Sequence, residues 1–154
     1  MAAEKDLDRL DREILRLITV DASLSLADIA ERVGLTPTPC WKRIRRMEQD
    51  GVILKRVAVL DPAKVGLPVS VFVAIETADH SADWLARFAA AIQQTPEIVD
   101  AWRMSGDVDY LLHVVVPDIA SYDAFYRKLI AALPLRNVSS RFSMERMKAA
   151  ALPV

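Results

Sequence analysis

The chain has 154 residues, 53% of them apolar, and 20 Lys+Arg against 21 Asp+Glu give a formal net charge of −1. That length and composition suit one large or two small packed domains, and they exclude a disordered, collagen-like or low-complexity chain. One cysteine, Cys40, and two histidines, His80 and His113, rule out an internal disulfide and leave too few ligands for a cysteine- or histidine-based metal cage.

The first residues, Met1-Ala-Ala-Glu-Lys-Asp, place charge where a signal peptide needs an apolar stretch. Leu7, Leu10, Ile14, Leu15, Leu17 and Ile18 then recur at helical spacing, which predicts a helix from about Leu7 to Val20 with Asp6 or Asp8 as its cap. Ser25, with Asp28 three residues on, makes a capping-box-like start. Leu26, Ile29, Ala30 and Val33 form the stripe of a short second helix stopped by Gly34. Thr36 precedes Pro37-Thr-Pro39, an N-cap followed by prolines that a first helical turn tolerates. A third helix runs from Pro37 to Gln49 and stops at Asp50-Gly51.

A support helix, then two short helices joined by a glycine turn, is a helix-turn-helix. On the third helix Cys40, Ile44 and Met47 share one side and are expected to be buried. Thr38, Lys42, Arg45 and Arg46 occupy the other, with Trp41 and Arg43 on the flanks. From Thr36 to Arg56 six basic residues face only Glu48 and Asp50, a local net charge of +4. A basic, hydroxyl-bearing helix face suits entry into the major groove of DNA, the alternative being a solvated face.

Val52 to Leu60 is rich in β-branched residues and reads as a strand or wing that leads into a hinge at Asp61-Pro62. Beyond it the pattern predicts strand 68–76, helix 81–93, strand 98–104, a turn at Ser105–Asp109, strand 110–116, helix 119–133 and strand 138–147. The longest uncharged run, Val65 to Ile75, is 11 residues, too short to cross a bilayer. The order β-α-β-β-α-β is the ferredoxin-like pattern, an antiparallel sheet with two helices on one face. The fold class is therefore α+β, with a winged helix-turn-helix domain over 1–60 and a ferredoxin-like domain over 61–154. Val69, Val71, Val73 and Ile75 alternate with Ser70, Phe72 and Ala74, so both faces of the first of these strands are largely apolar. Two helices cover one; a second copy of the chain is expected on the other.

The stretches Leu7 to Leu15, Thr36-Pro-Thr-Pro-Cys-Trp-Lys-Arg-Ile-Arg-Arg-Met-Glu48, Gly51-Val-Ile53 and Met104-Ser-Gly-Asp-Val-Asp-Tyr110 together resemble the Lrp/AsnC (feast/famine) transcription regulators. The Ser139-Ser140 pair fits too, and the resemblance spans nearly the whole chain in order. Thr36 to Ile44 and Ala101 to Gly106 are similar to the cysteine-responsive branch, for which cysteine would be the effector. Val108, where many relatives have an aromatic residue, and Leu133-Pro-Leu-Arg136, in place of the commoner Leu-Pro-Gly-Val, depart from the pattern.

The charged start and the short apolar run make a soluble cytoplasmic protein, away from any membrane, the expectation. The resemblance implies a regulator that binds double-stranded DNA through Thr36, Thr38, Trp41, Lys42, Arg43, Arg45 and Arg46, as a homodimer that assembles towards an octamer. It also implies a small amino-acid effector between neighbouring second domains, near Gly106, Asp107, Asp109 and Tyr110, with Trp102, Met104, Ser139 and Ser140 lining the pocket. Asp107 or Asp109 suits an α-ammonium, and the Gly106 amide suits a carboxylate. An enzyme is not expected: Cys40 falls on a buried helix face, His113 inside an apolar strand and His80 in a loop, with no phosphate-binding glycine loop. No cofactor or metal is expected. The competing reading is a DNA-organising protein of the same fold without small-molecule control.

Overall fold

The computed structural model describes residues 6–154; the charged start Met1–Lys5 lies outside them. The chain divides into two compact units, one reaching Val59 and including Lys148–Val154, the other spanning Leu60–Met147. The last seven residues thus cluster with the first unit, not with the second domain expected over 61–154. Val154 packs on the first unit's core, and its carbonyl accepts from Arg16 Nε at 2.7 Å.

In the first unit α1 is Arg9–Val20, α2 Leu26–Arg32 and α3 Pro37–Gln49. Asp8, not Asp6, caps α1: its carboxylate accepts from the Asp11 amide while the Asp11 carboxylate accepts from the Asp8 amide. Ser25 and Asp28 close the same reciprocal box on α2. Gly34 follows with φ of 69°, a left-handed turn that a side chain would strain. The helices enclose Ile14, Leu15, Ile18, Ile29, Ala30, Val33, Cys40, Ile44 and Met47. Burial pushes the Cys40 thiol above its ordinary range, as expected of a small core residue rather than a nucleophile.

The expected strand over 52–60 does not form; Leu54–Leu60 belong to no regular element, and Leu54, Val57 and Val59 are exposed. Their β-branched pattern favours an extended backbone, but among the described residues no segment pairs with it to complete a ladder.

The second unit begins with an unforeseen short 3₁₀ turn at Ala63–Val65. Then come β1 Val69–Glu76, α4 Ala82–Gln93, β2 Ile98–Arg103, β3 Tyr110–Val116, α5 Ile119–Ala132 and β4 Asn137–Phe142. The sheet is antiparallel with order β2-β3-β1-β4, the ferredoxin-like arrangement. Val71, Val73 and Ile75 of β1 and Tyr110, Leu112, Val114 and Val116 of β3 pack with Trp84 and Phe88 of α4 and Tyr122, Phe125 and Leu129 of α5. Trp84 stacks on Phe88 at 4.9 Å and donates its indole N–H to the Pro134 carbonyl at 3.3 Å. The alternate residues form the open face, where Phe72 registers with His113, Ala74 with Leu111, and Trp102 with Leu111. Strand β4 ends at Phe142, five residues short of the expected 147. One further backbone bond, Ser143 N–H to Ser70 O at 2.8 Å, follows before the ladder ends.

Candidate functional site

Helix α3 turns about 100° per residue, which fixes what each side chain can reach. Cys40, Ile44 and Met47 point inward and are buried, as their spacing requires. Thr38, Lys42 and Arg45 stand on the opposite, exposed side. Thr36 holds the extended backbone of an N-cap, but its hydroxyl makes no cap hydrogen bond; Pro37 and Pro39 carry no N–H, so Thr38 supplies the one amide of these first three helical residues.

The flanks of α3 differ from each other. On one, Arg43 Nη1 lies 2.6 Å from Asp8 and 2.8 Å from Asp11, and Arg46 also pairs with Asp11. The Arg43 side chain is 25% exposed and the Asp11 carboxylate is fully buried. The Asp11 amide, and next the Arg43 guanidinium, hold the Asp8 carboxyl below the usual carboxylate range; Asp8 and Asp11 in turn raise Arg43. Arg43 and Arg46, expected to meet DNA, are thus drawn toward α1. The sequence pattern placed them on α3 but offered no sign of Asp11, 32 and 35 residues away.

On the other flank Trp41 is half-exposed, with the Arg45 guanidinium 5.7 Å from its ring centre. Glu48 pairs with Arg45 at 3.1 Å and with Arg56 at 3.5 Å. These pairs are solvent-exposed and worth only about 0.2–1 kcal/mol each. They restrain cations that a polyanion would otherwise attract. Glu48→Gln is therefore expected to tighten binding to a non-specific duplex, by up to about fivefold per chain for one such pair. Fluorescence anisotropy on a labelled random-sequence duplex measures this, and unchanged or weaker binding rejects the restraint.

The eight residues expected to line an effector pocket do not converge within one chain. Gly106, at φ 110°, and Asp107 form the β2–β3 turn, closed by Met104 N–H to Asp109 O at 2.8 Å. The Asp109 carboxylate accepts from the Thr77 amide at 2.8 Å and so ties the turn to the end of β1. Tyr110 is buried on the helix-covered face, its ring 4.5 Å from that of Phe88. Ser140 lies on that same face, hydrogen-bonded to Tyr122, whereas Ser139 registers with Ala74 on the open face of β4. Trp102 stands on the open face of β2, at the opposite sheet edge from Ser139, and Met104 is half-exposed beyond it. Alternation in β4 separates the two serines, and two intervening strands separate Trp102 from both.

The sequence reading missed a cluster on the open face. His113 Nε2 lies 2.7 Å from Ser70 Oγ and its Nδ1 lies 3.6 Å from Asp100 Oδ2, with Phe72 stacked on the ring at 4.8 Å. Together with Trp102 they border a hollow of about 390 Å³. Strand register alone brings these distant residues together, so no local signal could have announced the cluster.

Comparison with known proteins supplies the remaining evidence. Residues 7–53 match a winged helix-turn-helix DNA-binding family, and residues 70–152 match the Lrp/AsnC ligand-binding domain. The DNA-binding transcriptional activator DecR of Escherichia coli K12 is 47% identical over 143 residues, which cover 92% of this chain and 94% of that one. The crystal structure of an AsnC-family regulator from Agrobacterium tumefaciens is 57% identical, with a TM-score of 0.88, covering 96% of this chain and 95% of that one. A Neisseria meningitidis transcriptional regulator in complex with L-Met is 27% identical, with a TM-score of 0.90, covering 96% and 97%.

Proposed function

The chain belongs to the Lrp/AsnC family of transcriptional regulators, with a DNA-binding helix-turn-helix and a ligand-binding domain in sequence, and from this premise we propose that it reads an operator as a homodimer whose occupancy is set by a small amino acid. The observation that carries the DNA half is the outward side of α3. Thr38, Lys42 and Arg45 stand there opposite the buried stripe of Cys40, Ile44 and Met47, with Trp41 beside them and Thr36 at the helix start. Arg45 is the base reader; Lys42 and Thr36 meet phosphates. The place of action is the cytoplasm, where the chromosome is; among the described residues no helix is long and apolar enough to cross a membrane.

The homodimer follows from two surfaces. Phe72, Leu111 and Trp102 make the open sheet face apolar, and the Leu54–Leu60 segment exposes Leu54, Val57 and Val59. Monomeric proteins seldom leave such surfaces bare. Further assembly towards an octamer brings neighbouring ligand-binding domains together. That is how an effector site is completed from residues that one chain keeps apart.

The effector is an α-amino acid. The Neisseria meningitidis relative holds L-Met, and the similarity of Thr36–Ile44 and Ala101–Gly106 to the cysteine-responsive branch adds L-cysteine as a candidate. Asp109 supplies the anion for the ammonium, the Gly106 amide and the Ser139 hydroxyl supply donors for the carboxylate, and Trp102 and Met104 supply an apolar wall; Ser140, bonded to Tyr122 on the helix-covered face, takes no part. Asp107 and Tyr110 border the turn that holds them. A thermal-shift screen of the twenty amino acids identifies the effector: a ligand at 100 times its Kd stabilises the folded state by about 2.7 kcal/mol. That ligand then changes DNA affinity; a chain whose DNA binding ignores every amino acid is instead a DNA-organising protein. Asp109→Asn keeps an oxygen for the Thr77 amide, so fold and basal DNA binding persist while the effector response is lost. Should the variant respond with unchanged affinity and amplitude, Asp109 is not the ammonium partner.

A further inference from the structure

We propose that Asp11 is a positioning residue for the recognition helix: it clamps Arg43 and Arg46 against α1, so that these two guanidiniums orient α3 and leave DNA contact to Lys42 and Arg45. The inference rests on the reading of α3 as the DNA-facing helix, and its test separates the two.

The Asp11 carboxylate is fully buried. It accepts from the Asp8 amide at 3.2 Å and from Arg43 Nη1 at 2.8 Å, and Arg46 completes its shell. A buried carboxylate is tolerable only while it stays paired. For Arg43 to swing out to a phosphate, Asp11 would lose a partner inside the protein. Arg43 also spans Asp8 at 2.6 Å, so one planar guanidinium bridges both residues of the α1 capping box. That box is the start of α1. The two arginines stand on α3 three positions apart and therefore fix its rotation about its own axis as well as its slide along α1. Rotation matters because Lys42 and Arg45 are separated from the buried stripe only by the helical period, and hydrogen bonds to base edges fail when geometry drifts. The two carboxylates on α3's flanks thus play unequal parts. Glu48 is partly exposed, so its pairs exchange with water at little cost, whereas Asp11 is buried and losing a pair leaves its carboxylate uncompensated.

The experiment compares full-length variants on two duplexes: one selected by the wild-type protein from a random library, and poly(dI-dC) as the non-specific competitor. Thermal unfolding checks that each variant is folded. Arg43→Gln and Arg43→Lys are both expected to lose tenfold or more on the selected duplex. Binding to poly(dI-dC) and its salt dependence stay unchanged, because no phosphate contact is lost. Lysine is the discriminating substitution: it keeps the charge a phosphate contact needs, but its shorter stem and undirected ammonium do not reproduce the reach and planar aim with which Arg43 Nη1 meets Asp8 and Asp11 together. Rescue by Arg43→Lys, with Arg43→Gln losing on both duplexes and with a salt slope shallower by about 0.9 per contact, makes Arg43 a phosphate ligand and overturns the proposal. Asp11→Asn sharpens the test, since removing an acid near DNA should by charge alone tighten both complexes; the clamp predicts a weaker selected complex instead. If Asp11→Asn fails to fold, the Arg43 pair decides alone. Selected-duplex binding unaltered in every folded variant also overturns the clamp, while loss of all DNA binding only on Lys42 and Arg45 substitution leaves the reading of α3 intact. If those two substitutions have no effect, the reading of α3 itself fails.

Discussion

Arg45→Ala is expected to relax base preference at one position of each half-site, at a cost of about 1–3 kcal/mol there. Arg45 stands on the exposed side of α3, and what restrains it is a solvent-exposed pair with Glu48 at 3.1 Å and the face of Trp41. Both are weak enough to exchange for a guanine edge, which accepts a guanidinium bidentately. In a homodimer the loss occurs twice, so the selected complex weakens by roughly 30-fold to 10⁴-fold if the half-sites act independently. Lys42→Ala behaves differently: a lysine meets phosphate as a point charge, so affinity falls by a similar factor on every sequence. Footprinting and competition binding resolve the two patterns. The half-sites lie one helical turn apart, about 34–36 Å, if two copies of α3 enter successive major grooves. An equal loss on all sequences for Arg45→Ala removes it from base reading, and full affinity for a single unpaired half-site removes the dimer.

Leu111→Asp is expected to convert the assembled protein to monomer at micromolar concentration. Leu111 sits mid-strand on the open face, registered with Ala74 on one side and Trp102 on the other. It therefore lies among the apolar residues that a second copy would cover. In the monomer its side chain is only partly buried, so an aspartate there keeps contact with water and the fold survives. In the interface the same carboxylate is stripped of water, and an unpaired buried charge costs several kcal/mol in each of the two copies, enough to move a micromolar dimer to monomer. Sedimentation velocity distinguishes the outcomes, with circular dichroism as the check on folding. A variant that still sediments with the wild-type mass places assembly elsewhere, with the exposed Leu54–Leu60 segment the next surface to test. Because DNA recognition is proposed to need two copies of α3, the monomeric variant also loses operator binding while keeping weak non-specific affinity.

The elements were legible because their signals are local. The capping residue fixed the start of α2 and narrowed that of α1 to Asp6 or Asp8, the Cys40–Ile44–Met47 period fixed the buried side of α3, and strand alternation grouped the β1 residues by face while packing decided that Val71, Val73 and Ile75 meet the helices. The two-domain resemblance supplied the family, and the fold followed with the ferredoxin-like strand order. Where the reading overran, a partner was lacking. Residues 52–60 have strand propensity and β4 has a plausible continuation to 147, but a strand exists only where a neighbouring backbone completes its hydrogen bonds.

The candidate site divides along the same line. The outward placement of Thr38, Lys42 and Arg45 follows from helical period alone. The use of Arg43 and Arg46 does not: period gives the direction of a side chain but not what waits there, and only packing of α1 against α3 revealed Asp11. The effector residues show the limit most clearly. Sequence proximity grouped Ser139 with Ser140 and Trp102 with Tyr110, yet pleating sends Ser139 and Ser140 to opposite faces, and the sheet puts Trp102 on the open face and Tyr110 in the core. The sequence by itself determined the elements, the family and the basic face, because these depend on period, capping and composition over short spans. The tertiary structure decided which charges are already paired and which residues meet, because those depend on register and packing between segments far apart in the chain.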